Sequence, residues 1–277
     1  MDPGELRGDM VDGLEERLTV DAAVSLAMRT VPRQEFVDDA PYDDRSGDAA
    51  GTLSPEIVAR LLTALDVDAP ESAAAAEPTA GTRRETEGER DRTGDVLVVG
   101  AGVGYTAALL AEILDETRVH AVDIDRRLVY AARSNLDSAG YGGVLVDARD
   151  GANGLPEYAP FDRILVEAAA IDPPKRLVDQ LAPGGQLVLP LGGPEQTLAA
   201  VDASGDVIER HGPVAFKPLL VDGEQGSAPA EVLGVCPAVL VCVVSCQTDT
   251  LTTPNAVRYP TGLPMRGIYS PSLQIDE

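Results

Sequence analysis

The sequence predicts an α/β protein built on a doubly wound, mostly parallel sheet. Three observations predict it: short, near-continuous apolar runs, helix-patterned segments between them, and a glycine-rich turn joining the first run to the first helix. The runs are DVLVVG (95–100), RVHAVDI (118–124), GGVLVDA (142–148), FDRILVEAA (161–169), GQLVLPL (185–191) and TLAAVDA (197–203). A strand covered on both faces has no polar side to show, so it reads as an unbroken hydrophobic run, as these do. Between them lie GYTAALLAEIL (104–114), RRLVYAARSNLDSAG (126–140) and PPKRLVDQLA (173–182), read as helices.

The 277 residues divide into four segments. Residues 1–66 read as helical, because LTVDAAVSLAMRTV (18–31) and SPEIVARLLTALDV (54–67) carry apolar residues at three- and four-residue spacing. Residues 67–94 read as a disordered linker or insert. From Asp68 to Gly94 there is no Val, Ile, Leu or aromatic residue, too little to offset the entropy of ordering. Residues 95–223 hold the alternating strands and helices. Residues 224–277 form a Pro-, Thr-, Ser- and Gly-rich extension of unassigned role, whose one apolar run, LGVCPAVLVCVV (233–244), could be a strand.

The formal net charge is −24, and Lys175 and Lys217 are the only lysines among 22 cationic residues. An acidic, lysine-poor surface resembles that of proteins from salt-loving archaea, where concentrated salt screens self-repulsion. No basic cluster suggests a nucleic-acid partner. The 233–244 run is too short to span a bilayer and contains Pro237, and no secretory leader pattern opens the chain, so a cytoplasmic protein without membrane contact is expected. Cys236, Cys242 and Cys246 are odd in number with no nearby His, so neither a disulfide framework nor a metal site is expected.

GAGVGY (100–105) follows a strand and opens a helix. Gly100, Gly102 and Gly104 allow a tight turn and let a ligand lie against bare backbone. The spacing is not that of the dinucleotide fingerprint, and no Lys-Ser/Thr follows as a phosphate-cradling loop requires. Asp123 ends the next strand, where a carboxylate can accept both hydroxyls of a ribose, or can simply be a strand-end residue. Asp150, in DARDG, follows the third strand as a second acid or a turn residue. Together these predict a nucleoside ligand without a diphosphate, a description that S-adenosylmethionine fits.

On several stretches the chain resembles the protein-L-isoaspartate O-methyltransferases. These are VPRQEFV (31–37), YDDR (42–45), GTLSPEIVARLL (51–62), the glycine turn, GLPEYAPFDRILVEAAA (154–170), LVDQLAPGGQLVLPLG (177–192) and GPVAFKPLL (212–220). The resemblance implies a Rossmann-like class I methyltransferase fold with N-terminal helices. It implies methyl transfer from S-adenosylmethionine to the free carboxylate of isoaspartyl residues in damaged proteins, after which the ester closes to a succinimide that hydrolyses partly to aspartate. It places cofactor binding on Gly100, Gly102, Gly104, Asp123 and Asp150, and an active-site hydroxyl on Ser54 with Thr52 beside it. Ser54 followed by Pro55 is also an ordinary helix start. A carboxylate of ordinary pKa is already ionised at neutral pH, so the reaction needs no base, and His120 and His211 are read as structural.

Two departures mark the chain. SGDAAGTLS (46–54) replaces a longer proline-containing loop of the family, and Glu167 stands where the family commonly has Thr; a carboxylate facing the site there would repel an acidic substrate. Two other readings therefore stay open: a methyltransferase of the same fold acting on tRNA or another substrate, and a non-catalytic relative.

Overall fold

The computed structural model describes residues 2–43, 51–67 and 94–220. The cysteines, nearly all of the 67–94 linker, and the extension after residue 223 lie outside the described residues. Three helices come first: α1 (Pro3–Glu15), α2 (Ala22–Thr30) and α3 (Pro55–Leu65). Then follow β1 (Val96–Val99), α4 (Tyr105–Ile113), β2 (Val119–Asp123), α5 (Arg126–Ala139), β3 (Leu145–Ala148), β4 (Phe161–Val166), α6 (Lys175–Val178), β5 (Leu181–Gly192), β6 (Gln196–Asp202) and β7 (Val207–Val214).

The sheet order is β3-β2-β1-β4-β5-β6-β7. Strands β3 to β5 pair in parallel, while β5–β6 and β6–β7 are antiparallel. The chain winds outward from β1 to β3 and then restarts on the other side of β1 with β4. The crevice at the carboxyl ends of β1 and β4 is therefore the topological switch point, where such sheets receive ligands.

The unbroken apolar runs have their expected cause. Val96 and Val98 of β1 pack into a core with α1 to α5, whereas Leu97 and Val99 pack on the opposite face with Phe161, Leu177 and Leu187. All four are buried. Each such side chain contributes roughly 1.5–3 kcal/mol through burial, so β1 is fixed firmly and the turn that follows it is held in place.

Helix α3 carries its N-terminus to the carboxyl edge of the sheet. Its far end is tied near the start of β4: Arg163 donates to the Leu65 and Asp66 carbonyls at 2.9–3.1 Å, and Gln186 Nε2 donates to the Ala64 carbonyl at 2.9 Å. Arg60 adds bonds to the His211 and Pro213 carbonyls of β7.

Two elements differ from expectation. The helix expected over 173–182 ends at Val178, because the Gln180 carbonyl accepts from Phe161 N at 2.8 Å and Leu181 already pairs with β4. β7 has no counterpart among the expected strands. It is an edge strand with charged, largely exposed residues, so it carries no apolar run to signal it.

Candidate active site

The glycine turn after β1 bends under backbone control. Gly100 N and Ala101 N both donate to the Val122 carbonyl of β2, at 2.8 and 2.9 Å. Gly100, Gly102 and Gly104 all have positive φ. What each glycine makes room for differs. A side chain on Gly102 would meet the Gly51 carbonyl oxygen at 2.2 Å, and one on Gly104 would press on Ala132 of α5 at 3.3 Å. A side chain on Gly100 would meet the Glu167 Cβ at 3.3 Å. Gly100 and Gly102 line a groove of about 480 Å³; Gly104 serves the packing of α4 against α5.

Asp123 is buried at the end of β2. Its Oδ2 accepts from Gly102 N at 2.9 Å and its Oδ1 from Asp125 N at 2.8 Å. A carboxylate offers about four acceptor sites, so these backbone bonds leave room for a ligand hydroxyl. Burial raises its pKa, and the backbone N–H groups of Asp125, Gly102 and Ile124 oppose that rise. The helix-capping role belongs to its neighbour: Asp125 Oδ1 accepts from Arg127 N at 2.8 Å. Asp150 starts a short 3₁₀ turn and accepts from Ala152 N at 2.9 Å. The groove is lined by the next residue, Gly151, rather than by Asp150.

The opposite wall is the strap Gly51–Ser54. Val103 N donates to the Gly51 carbonyl at 3.0 Å, so the strap is bonded to the glycine turn itself. Thr52 is buried and lines both the groove and a narrow inner cavity behind it. Ser54 is the N-cap of α3, its side chain accepting from Ile57 N, and it lines neither space.

Arg33 received no role in the sequence, although it sits within the VPRQEFV stretch. It is fully buried. It donates to the Pro41 carbonyl at 2.7 Å and to the Leu53 carbonyl at 2.6 Å, and its guanidinium lies 4.5 Å from the Tyr105 ring centre. One side chain thus ties the chain on both sides of residues 44–50, which lie outside the described residues. Burial lowers the Arg33 pKa and pushes the Tyr105 hydroxyl up to about 12.

The third wall forms after β7. Ala169 N donates to the Lys217 carbonyl at 2.8 Å, and Leu219 N to the Ala169 carbonyl at 2.9 Å, bringing Phe216, Lys217 and Leu219 to the groove. Gln196 fixes this return by bonding both backbone groups of Phe216. Glu167 follows β4 directly, with its N–H on the Val99 carbonyl at 2.8 Å. Part of the residue's surface opens to the groove, yet its Oε1 is shut from solvent and has no hydrogen-bond partner. Desolvation pushes its carboxyl up to about 8, against the pull of the Thr106 hydroxyl and with a smaller push from Asp123. Near neutral pH, with no cation beside it, the group is therefore uncharged. His120 and His211 lie on β2 and β7; His120 packs between Tyr158 and Phe161, and neither lines the groove.

Two side-chain-free turn positions and a buried strand-end carboxylate meet in one groove at the switch point of the sheet. With the sheet order, they define a Rossmann-like class I methyltransferase that uses S-adenosylmethionine. A family model for protein-L-isoaspartate(D-aspartate) O-methyltransferase matches residues 89–225. The protein-L-isoaspartate O-methyltransferase of Aeropyrum pernix is 40% identical over 236 residues, covering 80% of this chain and 81% of its own length. That of Azoarcus sp. is 36% identical over 230 residues, covering 80% and 95%. The chain belongs to the protein-L-isoaspartate O-methyltransferase family. A Plasmodium falciparum structure described as a member of this family, in complex with S-adenosyl-L-homocysteine, shares the fold with a TM-score of 0.59 at 22% identity, over 76% of this chain and 97% of that one. Among the described residues no helix is long and apolar enough to cross a membrane, and no cluster of metal-ligating side chains occurs.

Proposed function

We propose that this chain methylates the free carboxylate of L-isoaspartyl residues in damaged proteins and so starts their repair. The observation that carries this reading is the strap: in a chain of this family, Thr52 stands buried on the boundary between the cofactor groove and the inner cavity. When bound, S-adenosylmethionine supplies an electrophilic methyl group. Asp123 accepts the ribose hydroxyls, and Gly100 and Gly102 give the ligand backbone to lie against.

The acceptor carboxylate arrives ionised, so the protein has to position and desolvate it rather than deprotonate it. The Thr52 hydroxyl is placed to donate to it. Ser54, credited with the hydroxyl role by resemblance, acts through the helix it caps. Lys217 adds a positive charge to the groove wall. Asp150 acts through Gly151, by fixing the turn that borders the groove.

The test is transfer of labelled methyl from S-adenosylmethionine to an isoaspartyl peptide in high salt, beside the same peptide with ordinary aspartate. Base-labile label on the isoaspartyl peptide alone is expected. Cofactor binding without transfer, or transfer to both peptides, would overturn the assignment. High salt is part of the proposal, since a net charge of −24 repels itself in dilute buffer.

A further inference from the structure

We propose that Glu167 is the counter-charge for the α-ammonium group of S-adenosylmethionine, and that binding of the cofactor removes the proton from this carboxyl. The inference rests on the cofactor reading above and goes beyond it, because no residue had been assigned to the cofactor's cationic end.

Position comes first. Asp123 ends β2, Gly100 follows β1, and Glu167 follows β4; these strands are neighbours in the order β2-β1-β4. Two strand spacings separate the outer two, about 10 Å of backbone. A ribose held on Asp123 then directs the methionine arm across Gly100 toward Glu167. The Glu167 Cβ lies against Gly100, where any side chain would come within 3.3 Å of it. The carboxyl itself stands between the groove and the inner cavity and borders both.

Chemistry comes second. The Glu167 Oε1 is sealed from solvent and lacks a donor, a costly state for an acceptor unless a ligand supplies one. The groups facing it are Asp123 from β2, Tyr105 and Thr106 from α4, Thr52 from the strap, Arg33 behind the inner cavity and Lys217 across the groove. Among the described residues neither cation pairs with it: Arg33 is engaged with two carbonyls and the Tyr105 ring, and the charge that acts on Glu167 is that of Asp123. Two carboxyls therefore face one groove, and among the described residues no cationic side chain forms an ion pair with either. The cofactor offers two positive centres. The sulfonium brings charge alone, whereas the ammonium brings charge and N–H donors, and only a donor satisfies the orphaned oxygen.

With the groove empty, burial holds the carboxyl neutral, with a pKa of about 8. An ammonium beside it favours the anion. The carboxyl O–H bond breaks, the proton passes to bulk buffer, and an N–H···O bond takes its place. Cofactor affinity therefore rises with pH until the empty protein's own carboxyl is ionised.

Titration calorimetry on the full chain tests this, using S-adenosylmethionine at about pH 7 in two buffers of different ionisation enthalpy. Close to one proton released per cofactor is expected for the wild type, and none for Glu167→Gln. Between about pH 6 and 8 the wild-type affinity should rise roughly tenfold per unit, and the Gln variant's should stay flat. S-adenosylhomocysteine keeps the ammonium and lacks the sulfonium charge, so it should release the same proton. Asp123→Asn, which removes the other carboxyl, should still show the release. Binding by the wild type without proton release, equal release by Glu167→Gln, or release with S-adenosylmethionine alone would each overturn the proposal while leaving the cofactor reading intact. Failure of the wild type to bind either molecule would remove both.

Discussion

The two long walls of the groove are built on different principles. The wall formed by the glycine turn and the end of β2 is local in sequence: Val96 to Asp123 is one strand–helix–strand unit, and its contacts are backbone N–H groups on a carbonyl and a carboxylate. The strap Gly51–Ser54 is held from far along the chain, by Arg33 on one side and Val103 N on the other. The first wall follows the expected pattern closely. The second borders residues 44–50, which lie outside the described residues. A wall made of backbone contacts constrains sequence tightly, whereas a wall held at a few points leaves room for change between them.

The largest effect should come from joining the two walls badly. Gly102→Val puts a branched side chain at φ +52° and into the Gly51 carbonyl. Such strain costs about 2–4 kcal/mol, and thermal melting together with methyl-transfer assays should show both stability and activity lost. Survival of both would mean that the strap does not rest on the turn.

A second experiment probes the site between the walls without any ligand. The Glu167 pKa is raised by folding, from 4.5 to about 8. The folded state then holds a proton that the unfolded chain has released. This group's stabilising contribution is fully present below about pH 4.5 and is lost as pH rises through about 8. Glu167→Gln should remove that dependence, so the variant gains on the wild type between about pH 4.5 and 8 and holds a constant advantage above that, read as melting temperature against pH. Parallel curves would place the carboxyl in water.

Asp123→Ala tests the local wall alone. Loss of hydrogen bonds to a charged acceptor is worth about 1.5–3 kcal/mol, so cofactor affinity should fall roughly ten- to a hundredfold by calorimetry. The smallest effects separate Thr52 from Ser54. Thr52→Val should lower kcat about tenfold with cofactor affinity unchanged, the loss expected of one hydrogen bond worth about 1.4 kcal/mol. Ser54→Ala should cost about 1 kcal/mol of stability through the lost cap and leave kcat within about twofold. The reverse pattern would return the hydroxyl role to Ser54.

How much was legible in the sequence follows the same division. The parallel strands, the glycine turn and the place of Asp123 at a strand end are readable because buried strands advertise themselves as apolar runs and a bare-backbone turn needs glycine. β7 was not, because an exposed edge strand has no reason to be apolar. The role of Arg33 was invisible because its partners, Pro41 and Leu53, are backbone carbonyls, which any residue supplies. Glu167 was noticed as a departure, but its neutral state depends on burial by Gly100, Thr106 and the strap, elements distant in sequence. Ser54 and Thr52 could not be separated from the sequence, since a helix-capping serine and a catalytic one look alike.

The Arg33 fork leaves one further mark. Because a single guanidinium fastens the backbone at Pro41 and again at Leu53, and Gly51 is pinned to the turn, chain length upstream of Gly51 can change without displacing Thr52.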